Sequence, residues 1–304
     1  MSPTFSSAAT IDDALAAMGA GARPVAGGTD LLVGARQGKA PLPDAIVAVD
    51  RIAELTGIRD GDATLVMGSL VTHDDLMKDP TVLTRLTALA DASAIVGSHA
   101  TRAQGTIGGN VMNASPAMDT GAPLLCFGTT AVLRSAGAER RLGLDELWTG
   151  PGQTSAAPGE LMIALEVPLP PAGSGSCYVR LEYRRQMEIA IVGAAAAVTV
   201  EGDTVTDVKV AITALTPTIR RVPQAEAALT ASAGDDGAVR AAAAAAAAAA
   251  TPISDVRGSA DYRRAMAEVI ARRAITGALA RARGEHVPVP ASSALFGAGQ
   301  GGAR

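Results

Sequence analysis

An α+β fold in two parts is predicted by three observations on this 304-residue chain. Strand-like and helix-like segments alternate over residues 1–170, with a break near 50–60. A stretch dense in breakers follows, Pro168, Pro170, Pro171, Gly173 and Gly175, which cannot sit inside a helix or a central strand. Beyond it, three β-rich runs precede long Ala-rich segments, the pattern of a small antiparallel sheet followed by helices. Residues 176–283 therefore form a second unit, and 284–304, rich in Pro, Gly and Ser, are expected to be a flexible tail.

In chain order, Ile11, Leu15, Ala16 and Met18 recur at helical spacing, with Thr10 as N-cap and Gly19 to Gly21 as the stop. Val25 and Ala26 run as a strand into the glycine pair Gly27-Gly28, and Leu31, Leu32, Val33 and Ala35 read as a short helix capped by Thr29 or Asp30. Segments 45–49 and 64–67 read as strands, 72–76 as a helix start, and 82–96 as one helix. Asn113 to Pro116 breaks regular structure, 121–127 is apolar, and 131–133 and 160–167 supply strands. In the second unit, 178–183, 189–200 and 205–215 are strands, the last two joined by a hairpin turn at Gly202-Asp203. The remainder is helical over 222–231, the polyalanine 241–250 ended by Pro252, and about 260–282, since Ala is the best helix former.

The composition bounds the chemistry. With 48% hydrophobic and 18% charged residues and a net charge of −4, the chain is globular. A mildly acidic chain with 2% aromatics has no footprint for nucleic acid. Cys126 and Cys177 are too few to hold a structural zinc or an iron–sulfur cluster, which commonly need four ligands. They read as free thiols in a reducing compartment. The first residues lack a basic stretch followed by an apolar run, and no stretch is long enough for a transmembrane segment, so the expected location is cytoplasmic.

The two glycine pairs carry the functional reading. In Ala26-Gly27-Gly28-Thr29-Asp30 and Thr106-Ile107-Gly108-Gly109-Asn110, glycine permits positive φ and close approach of an anion, and consecutive N–H groups form a concavity that takes a diphosphate. Each pair follows an apolar or β-branched residue and ends in small polar residues, as at two strands that end on one ligand. Asp30 would repel a diphosphate and is expected to turn back as a helix cap. Gly297 to Gly302 matches G-x-G-x-x-G only formally, because no strand and helix flank it. His73, His99 and His286 lack metal-ligand spacing and read as cap, core or surface residues. No nucleophile elbow or Cys/His pair is visible, so a bound cofactor would carry the chemistry.

Five segments taken together resemble the FAD-binding medium subunit of the molybdenum hydroxylases, the carbon monoxide dehydrogenase and xanthine dehydrogenase family. They are residues 26–32; Thr106 to Asn110 with Ala114-Ser115-Pro116 and Asp119; Pro158-Gly159-Glu160-Leu161 with Val167-Pro168; 184–193; and Ala211 to Thr218. The resemblance spans residues 5–279. It implies an FAD-binding PCMH-type fold of two α/β subdomains, followed by a C-terminal antiparallel β-sheet with helices.

The resemblance further implies that Ala26, Gly27, Gly28, Thr29, Asp30 and Leu31, with Thr106, Gly108, Gly109 and Asn110, wrap the FAD diphosphate. Asp119 would hold part of the cofactor chain, and the main chain near Met162 would meet the adenine. Val111 or Met112 would pack near the isoalloxazine, and the segment from Arg180 to Ile189 would approach it from the second domain. Arg180, where the family often has Lys, either stabilises the reduced ring or forms a surface ion pair with Glu182. Glu188 either tunes charge near the ring or is a solvated carboxylate. Ile189, where some relatives place an aromatic, would give apolar contact. The molybdenum cofactor and the 2Fe-2S clusters would lie on partners, a large molybdenum-binding subunit and a small iron–sulfur subunit, in a dimer of heterotrimers. The family function is electron transfer from the iron–sulfur subunit to an external acceptor. The rival readings are a freestanding FAD-dependent oxidoreductase and an assembly subunit without cofactor.

Overall fold

The computed structural model describes residues 4–38, 40–184, 187–292 and 295. The chain opens with β1 (Thr4–Ser7), α1 (Ile11–Gly19), β2 (Arg23–Val25), α2 (Leu31–Arg36) and β3 (Ala45–Ala48). Thr10 caps α1 in a reciprocal box with Asp13. The three strands pair in parallel in the order β1-β3-β2. The central strand, Ala-Ile-Val-Ala, is the apolar run that a strand covered on both faces requires. Ile11, Ala14 and Leu15 of α1 bury against Val47, Val49, Ile52 and Leu55, and the cluster reaches Leu70 and Leu161 of the next layer. Because β2 is parallel, its carboxyl end at Val25 delivers the first glycine pair to the crevice edge of the sheet, where open α/β sheets bind ligands.

The second layer comprises β4 (Ile58–Asp60), β5 (Thr64–Gly68), helices α3 (His73–Leu76), α4 (Pro80–Arg85), α5 (Thr87–Ala94), α6 (His99–Gln104), α7 (Ile107–Met112) and α8 (Gly121–Cys126), then β6 (Thr130–Arg134), β7 (Glu139–Gly143), α9 (Leu144–Leu147), β8 (Trp148–Gly150), β9 (Gln153–Thr154) and β10 (Leu161–Pro168). Its main sheet runs β4-β5-β10-β6-β7, every pair antiparallel. The single helix expected over 82–96 is instead two. Leu86 leaves helical geometry at φ −118° and ψ 44° with its side chain fully buried, and the Thr87 hydroxyl beyond it donates to the Ser176 carbonyl at 2.6 Å.

The third layer holds β11 (Ser174–Leu181), β12 (Val192–Glu201), β13 (Thr204–Thr213), β14 (Arg220–Arg221), α10 (Pro223–Leu229), α11 (Asp236–Ala248) and α12 (Ala260–Ala282). The strands form an antiparallel sheet in sequence order, with Gly202 at φ +58° in the tight turn. Cross-strand rows show how both faces are buried. Tyr178, Ala195 and Ala211 align on the face toward the second layer, while Val179, Ala194 and Ile212 align on the face toward α10, α11 and α12.

Two expectations are corrected here. Gly175 lies inside β11, not in a linker: a Cβ there would land on the Ala282 nitrogen and the Ala278 carbonyl, so its absence lets α12 close on the strand. The start of the supposed flexible tail is docked. Arg281 forks onto Asp91 at 2.6 and 3.0 Å and donates to the carbonyls of Val287 and Pro288. The Ala291 N–H donates to Asp91 at 2.9 Å, and Ser292 accepts from the Arg180 N–H at 3.0 Å. Residues 293–304 other than 295, with the formal G-x-G-x-x-G match, lie outside the described residues. Cys126 and Cys177 are buried and unpaired. Among the described residues no helix is long and apolar enough to cross a membrane.

Candidate functional site

The first glycine segment is a true loop. Gly28 sits at φ +66°, a conformation that L side chains adopt only with strain. Among the described residues, the N–H groups of Gly27, Gly28 and Thr29 donate to no protein acceptor. Such amides are held open only where water or a ligand answers them. Asp30 occupies the N-cap position of α2 but makes no capping bond, contrary to expectation. Its backbone is already helical at φ −95° and ψ −45°, whereas a capping side chain reaches its target from an extended residue.

The second glycine segment is not a loop. Thr106 is extended, caps Gly109 N–H through its hydroxyl at 3.1 Å, and starts α7 at Ile107. All four following amides are satisfied within the protein. Ile107 donates to Val71 at 2.8 Å, Gly108 to Ser69 at 3.0 Å, Gly109 to Thr106 Oγ1, and Asn110 to the Thr106 carbonyl at 2.9 Å. The expectation that both pairs expose N–H groups to a diphosphate is therefore corrected for this one. Its glycines serve packing and clearance instead. A Cβ on Gly108 would lie 2.5 Å from the Ser69 carbonyl oxygen, while one on exposed Gly109 would meet only Thr106 Oγ1, at 3.0 Å. Asn110 accepts from the Thr120 hydroxyl at 2.6 Å, and Met112 is half-buried behind Val111.

The fold packs the first segment on Gln104 and Gly105, the residues that lead into the second. A Cβ on Gly27 would overlap the Gln104 carbonyl oxygen, and one on Gly105 would lie 3.6 Å from Thr29 Oγ1. His73 lies under the same seam, its Cδ2 3.4 Å from that Gly105 position. It is buried, its Nδ1 has no partner among the described residues, and burial with the neighbouring Arg102 charge pulls its pKa down to about 4. A third wall comes from β10, where a bulge between Met162 and Ala164 leaves the Ile163 carbonyl to accept from Ser69 N–H at 3.1 Å. The Met162 side chain is in the core.

Below α7 lies a buried charge cluster. Arg180 is completely buried, not on the surface, and its Nη1 donates to Asp119 at 2.7 Å. Its Nε donates to Glu182, and its Nη2 has no acceptor among the described residues. The Tyr178 hydroxyl donates to the other Asp119 oxygen at 2.8 Å. Burial pushes the Asp119 carboxyl up, and Arg180 and Tyr178 pull it back only in part. Arg180 also reaches the Glu188 carbonyl at 3.3 Å, where residues 187–189 arch back against the end of β11.

Arg184 pairs with Glu188 at 3.0 Å, and Met187, at φ +53°, donates its N–H to the Gly97 carbonyl. Glu188 is thus a paired carboxylate. Burial raises its pKa, but Arg184 and the Ile189 N–H outweigh that and hold it low. Ile189 and Met187 are exposed. Helix α6 links the two regions, with Thr101 beside Met187 and Gln104 beside Gly27. Tyr178 is the site residue that sequence reading missed; His73, expected as a cap, core or surface residue, is buried, and the Arg180–Glu182 pair is present but in the interior. Only the Thr-x-x-Gly cap at 106–109 had a local signal.

Residues 2–170 match the FAD binding domain in molybdopterin dehydrogenase, and residues 178–278 match the CO dehydrogenase flavoprotein C-terminal domain. The chain is 33% identical over 267 residues to the carbon monoxide dehydrogenase medium chain of Hydrogenophaga pseudoflava, covering 88% of this chain and 92% of that one. It is 27% identical over 286 residues to a putative xanthine dehydrogenase FAD-binding subunit of Escherichia coli, covering 93% and 98%. Among solved structures, carbon monoxide dehydrogenase from H. pseudoflava superposes with a TM-score of 0.89 at 33% identity, covering 92% of this chain and 98% of that one. Quinoline 2-oxidoreductase from Pseudomonas putida 86 does so with a TM-score of 0.86 at 25% identity, covering 93% and 98%. These matches along both parts of the chain lead to one conclusion: the protein belongs to the family of FAD-binding medium subunits of molybdenum-containing oxidoreductases, of the carbon monoxide and xanthine dehydrogenase type.

Proposed function

We propose that this chain is the FAD-carrying electron-transfer subunit of a cytoplasmic molybdenum hydroxylase, receiving electrons from a small iron–sulfur subunit and passing them to an external acceptor. The large molybdenum-binding subunit would complete a heterotrimer that dimerises, and the chain would divide into an FAD-binding unit at 1–170 and a C-terminal unit at 176–283. The observation that carries the reading is the row of amides at Gly27, Gly28 and Thr29 that have no partner among the described residues, on a loop that packs against Gln104 and Gly105.

The available groups fit FAD. The amides of 27–29 hold the diphosphate, with Ala26, Asp30 and Leu31 shaping the loop's ends. Gly109, between Thr106, Gly108 and Asn110, lets the cofactor chain lie against α7. The main chain at Met162 borders the adenine, and Met112 and Ile189 offer apolar contact to the ring. FAD, when bound, exchanges electrons singly or in pairs, which joins a one-electron relay to a two-electron acceptor. Arg180 holds a fixed positive charge in a dry place, and such a charge favours an anionic reduced ring through the field it sets up. Asp119 acts through Arg180 and Tyr178, which engage both its oxygens. Residues 187–189 are fixed to Gly97 by Met187 and to Arg180 by Glu188, which ties the second unit to helix α6 and its neighbours.

The test is to purify the chain natively, with whatever subunits accompany it, and to measure flavin absorbance and FAD per chain for the wild type and Gly109→Val. The wild type should carry FAD and the variant should lose most of it. Full occupancy in the variant would overturn the assignment of the cleft.

A further inference from the structure

We infer that His73 is a positioning residue for the loop at 27–29: as a neutral imidazole beneath Gly105 it lets that loop sit on α6, and a proton taken up by the ring unseats it. The inference rests on the FAD reading above only for what the loop holds. Geometry carries the first step. The His73 N–H donates to the Gly105 carbonyl at 3.1 Å, and Thr72 before it bridges to Thr106. The point where a Cβ on Gly105 would stand lies 3.4 Å from the imidazole Cδ2 and 3.6 Å from Thr29 Oγ1. Ring and loop thus meet across a residue with no side chain to put between them. The ring is 1% exposed, and its Nδ1 has no hydrogen-bond partner among the described residues. An imidazolium has two N–H donors and a charge to satisfy, so protonation would leave a buried charged donor with nothing to donate to.

The charges around the ring make the second step. On α3 itself, Asp74 pairs with Lys78 at 2.6 Å and Asp75 is taken up in the cap with Thr72. Helices α5 and α6 pack on α3. From α5 comes Asp91, whose two oxygens are held by Arg281, Tyr178 and Ala291. From α6 come His99 and the buried Arg102, whose guanidinium lies 3.0 Å from the Val96 carbonyl and from His99 Nδ1 and forms no ion pair among the described residues. Asp30, on the loop, follows Thr29 by one residue and has a partner of its own. Of these charges Arg102 is the one that bears on the ring, and with burial it holds the pKa at about 4 against an ordinary 6.5. Protonation therefore requires the ring to gain water. On the loop side this lifts Gly27 from the Gln104 carbonyl it packs against and disperses the three open donors. The preference for the seated loop is complete above pH 6.5 and is lost as pH falls toward 4.

The experiment follows FAD release from the natively purified protein, with whatever subunits accompany it, by the fluorescence of freed flavin at pH 7, 6 and 5, with thermal unfolding recorded for each form. Wild-type release should be about 20-fold faster at pH 5 than at pH 7, the factor given by a ring that titrates near 6.5 when exposed and near 4 when covered. His73→Gln, of similar size but with no proton to gain, should keep FAD at pH 7 and release it at nearly the same rate at pH 5. Arg102→Met removes the opposing charge and should shrink the acid effect without reversing it, which supplies a second variant should His73→Gln not fold. A wild-type rate that does not change between pH 7 and 5 overturns the inference, as does an acid effect of full size in FAD-replete His73→Gln or Arg102→Met. A wild-type chain that carries no FAD removes the functional reading but not the latch. Exchange of the His73 amide in that cofactor-free chain, corrected for intrinsic rates, then decides: protection should fall over the same pH range, and steady protection overturns the inference.

Discussion

Two segments with nearly the same sequence, Ala-Gly-Gly-Thr and Ile-Gly-Gly-Asn, are put to opposite physical uses in this molecule. At 26–29 the chain leaves a parallel strand, Gly28 takes positive φ, and three amides stay open. At 107–110 a threonine cap has already started a helix, and every amide is consumed. The glycines of the first segment supply backbone conformation and donors. Those of the second supply the absence of side chains, inward at Gly108 and outward at Gly109. A glycine pair thus signals that a side chain is unwelcome, and only the residues before it say whether the reason is an anion or a neighbour.

The comparison is most strongly tested at Gly27, which packs on Gln104 and Gly105, just before the second segment. Gly27→Val would drive a Cβ into the Gln104 carbonyl, a backbone atom that cannot swing aside, so the seam must open. We expect a loss of stability on the order of 3 kcal/mol together with loss of FAD, measured by urea unfolding and cofactor content. A Gly27→Val chain as stable as the wild type would show that the two segments do not bear on each other.

Acid should weaken the same seam through His73. Its folded pKa, about 4, is depressed below the ordinary value of 6.5, because burial and the nearby Arg102 charge both oppose protonation. A depressed base is neutral in the fold, so the stability it contributes is complete above pH 6.5 and is lost as pH falls toward 4. One and a half pH units below its ordinary value this amounts to about 2 kcal/mol. Urea unfolding at pH 7, 6 and 5 should show this decline in the wild type and a flatter one in His73→Gln. Parallel profiles would remove His73 from the account.

Gly28 isolates the conformational half of the first loop. Its would-be Cβ meets only Leu32 and Val25 side chains, the nearest at 3.3 Å, so the cost of Gly28→Ala is chiefly the positive φ. About 1 kcal/mol is expected, with weakened FAD retention as the loop shifts its amides. Thermal unfolding and the rate of FAD loss on dilution would measure the two effects, and tighter FAD binding would contradict the role given to the loop.

What the sequence disclosed follows from what is local. Thr10 announced α1, and the β-rich runs at 189–200 and 205–215 with Gly202-Asp203 between them announced the hairpin found at 192–201 and 204–213, because caps and two-residue turns are decided within a few residues. Strand β7, Glu-Arg-Arg-Leu-Gly, escaped because an edge strand exposed to solvent has no apolar alternation to read. The charge cluster escaped for a different reason. Tyr178 and Arg180 meet Asp119 across 59 and 61 residues, and which of several arginines is buried is settled only when β11 packs on the first unit. At α7 a signal did exist: Thr106 three residues before Gly109 is an N-cap pattern, masked by the tendency to read paired glycines as a turn.

The remaining test separates fold from function inside that helix. Gly109 faces open space, and in a helix Val has the higher propensity, so Gly109→Val should change stability by less than about 1 kcal/mol. Thr106 Oγ1, 3.0 Å from the new Cβ, need yield only a few tenths of an ångström. The same variant is expected to shed FAD, since the added methyls occupy the clearance that the cofactor chain would use. A chain that keeps its melting temperature while losing its colour is the signature of a surface reserved for a ligand. If stability and FAD fall together, Gly109 is a packing glycine like Gly108, and the asymmetry drawn between the two faces of α7 disappears.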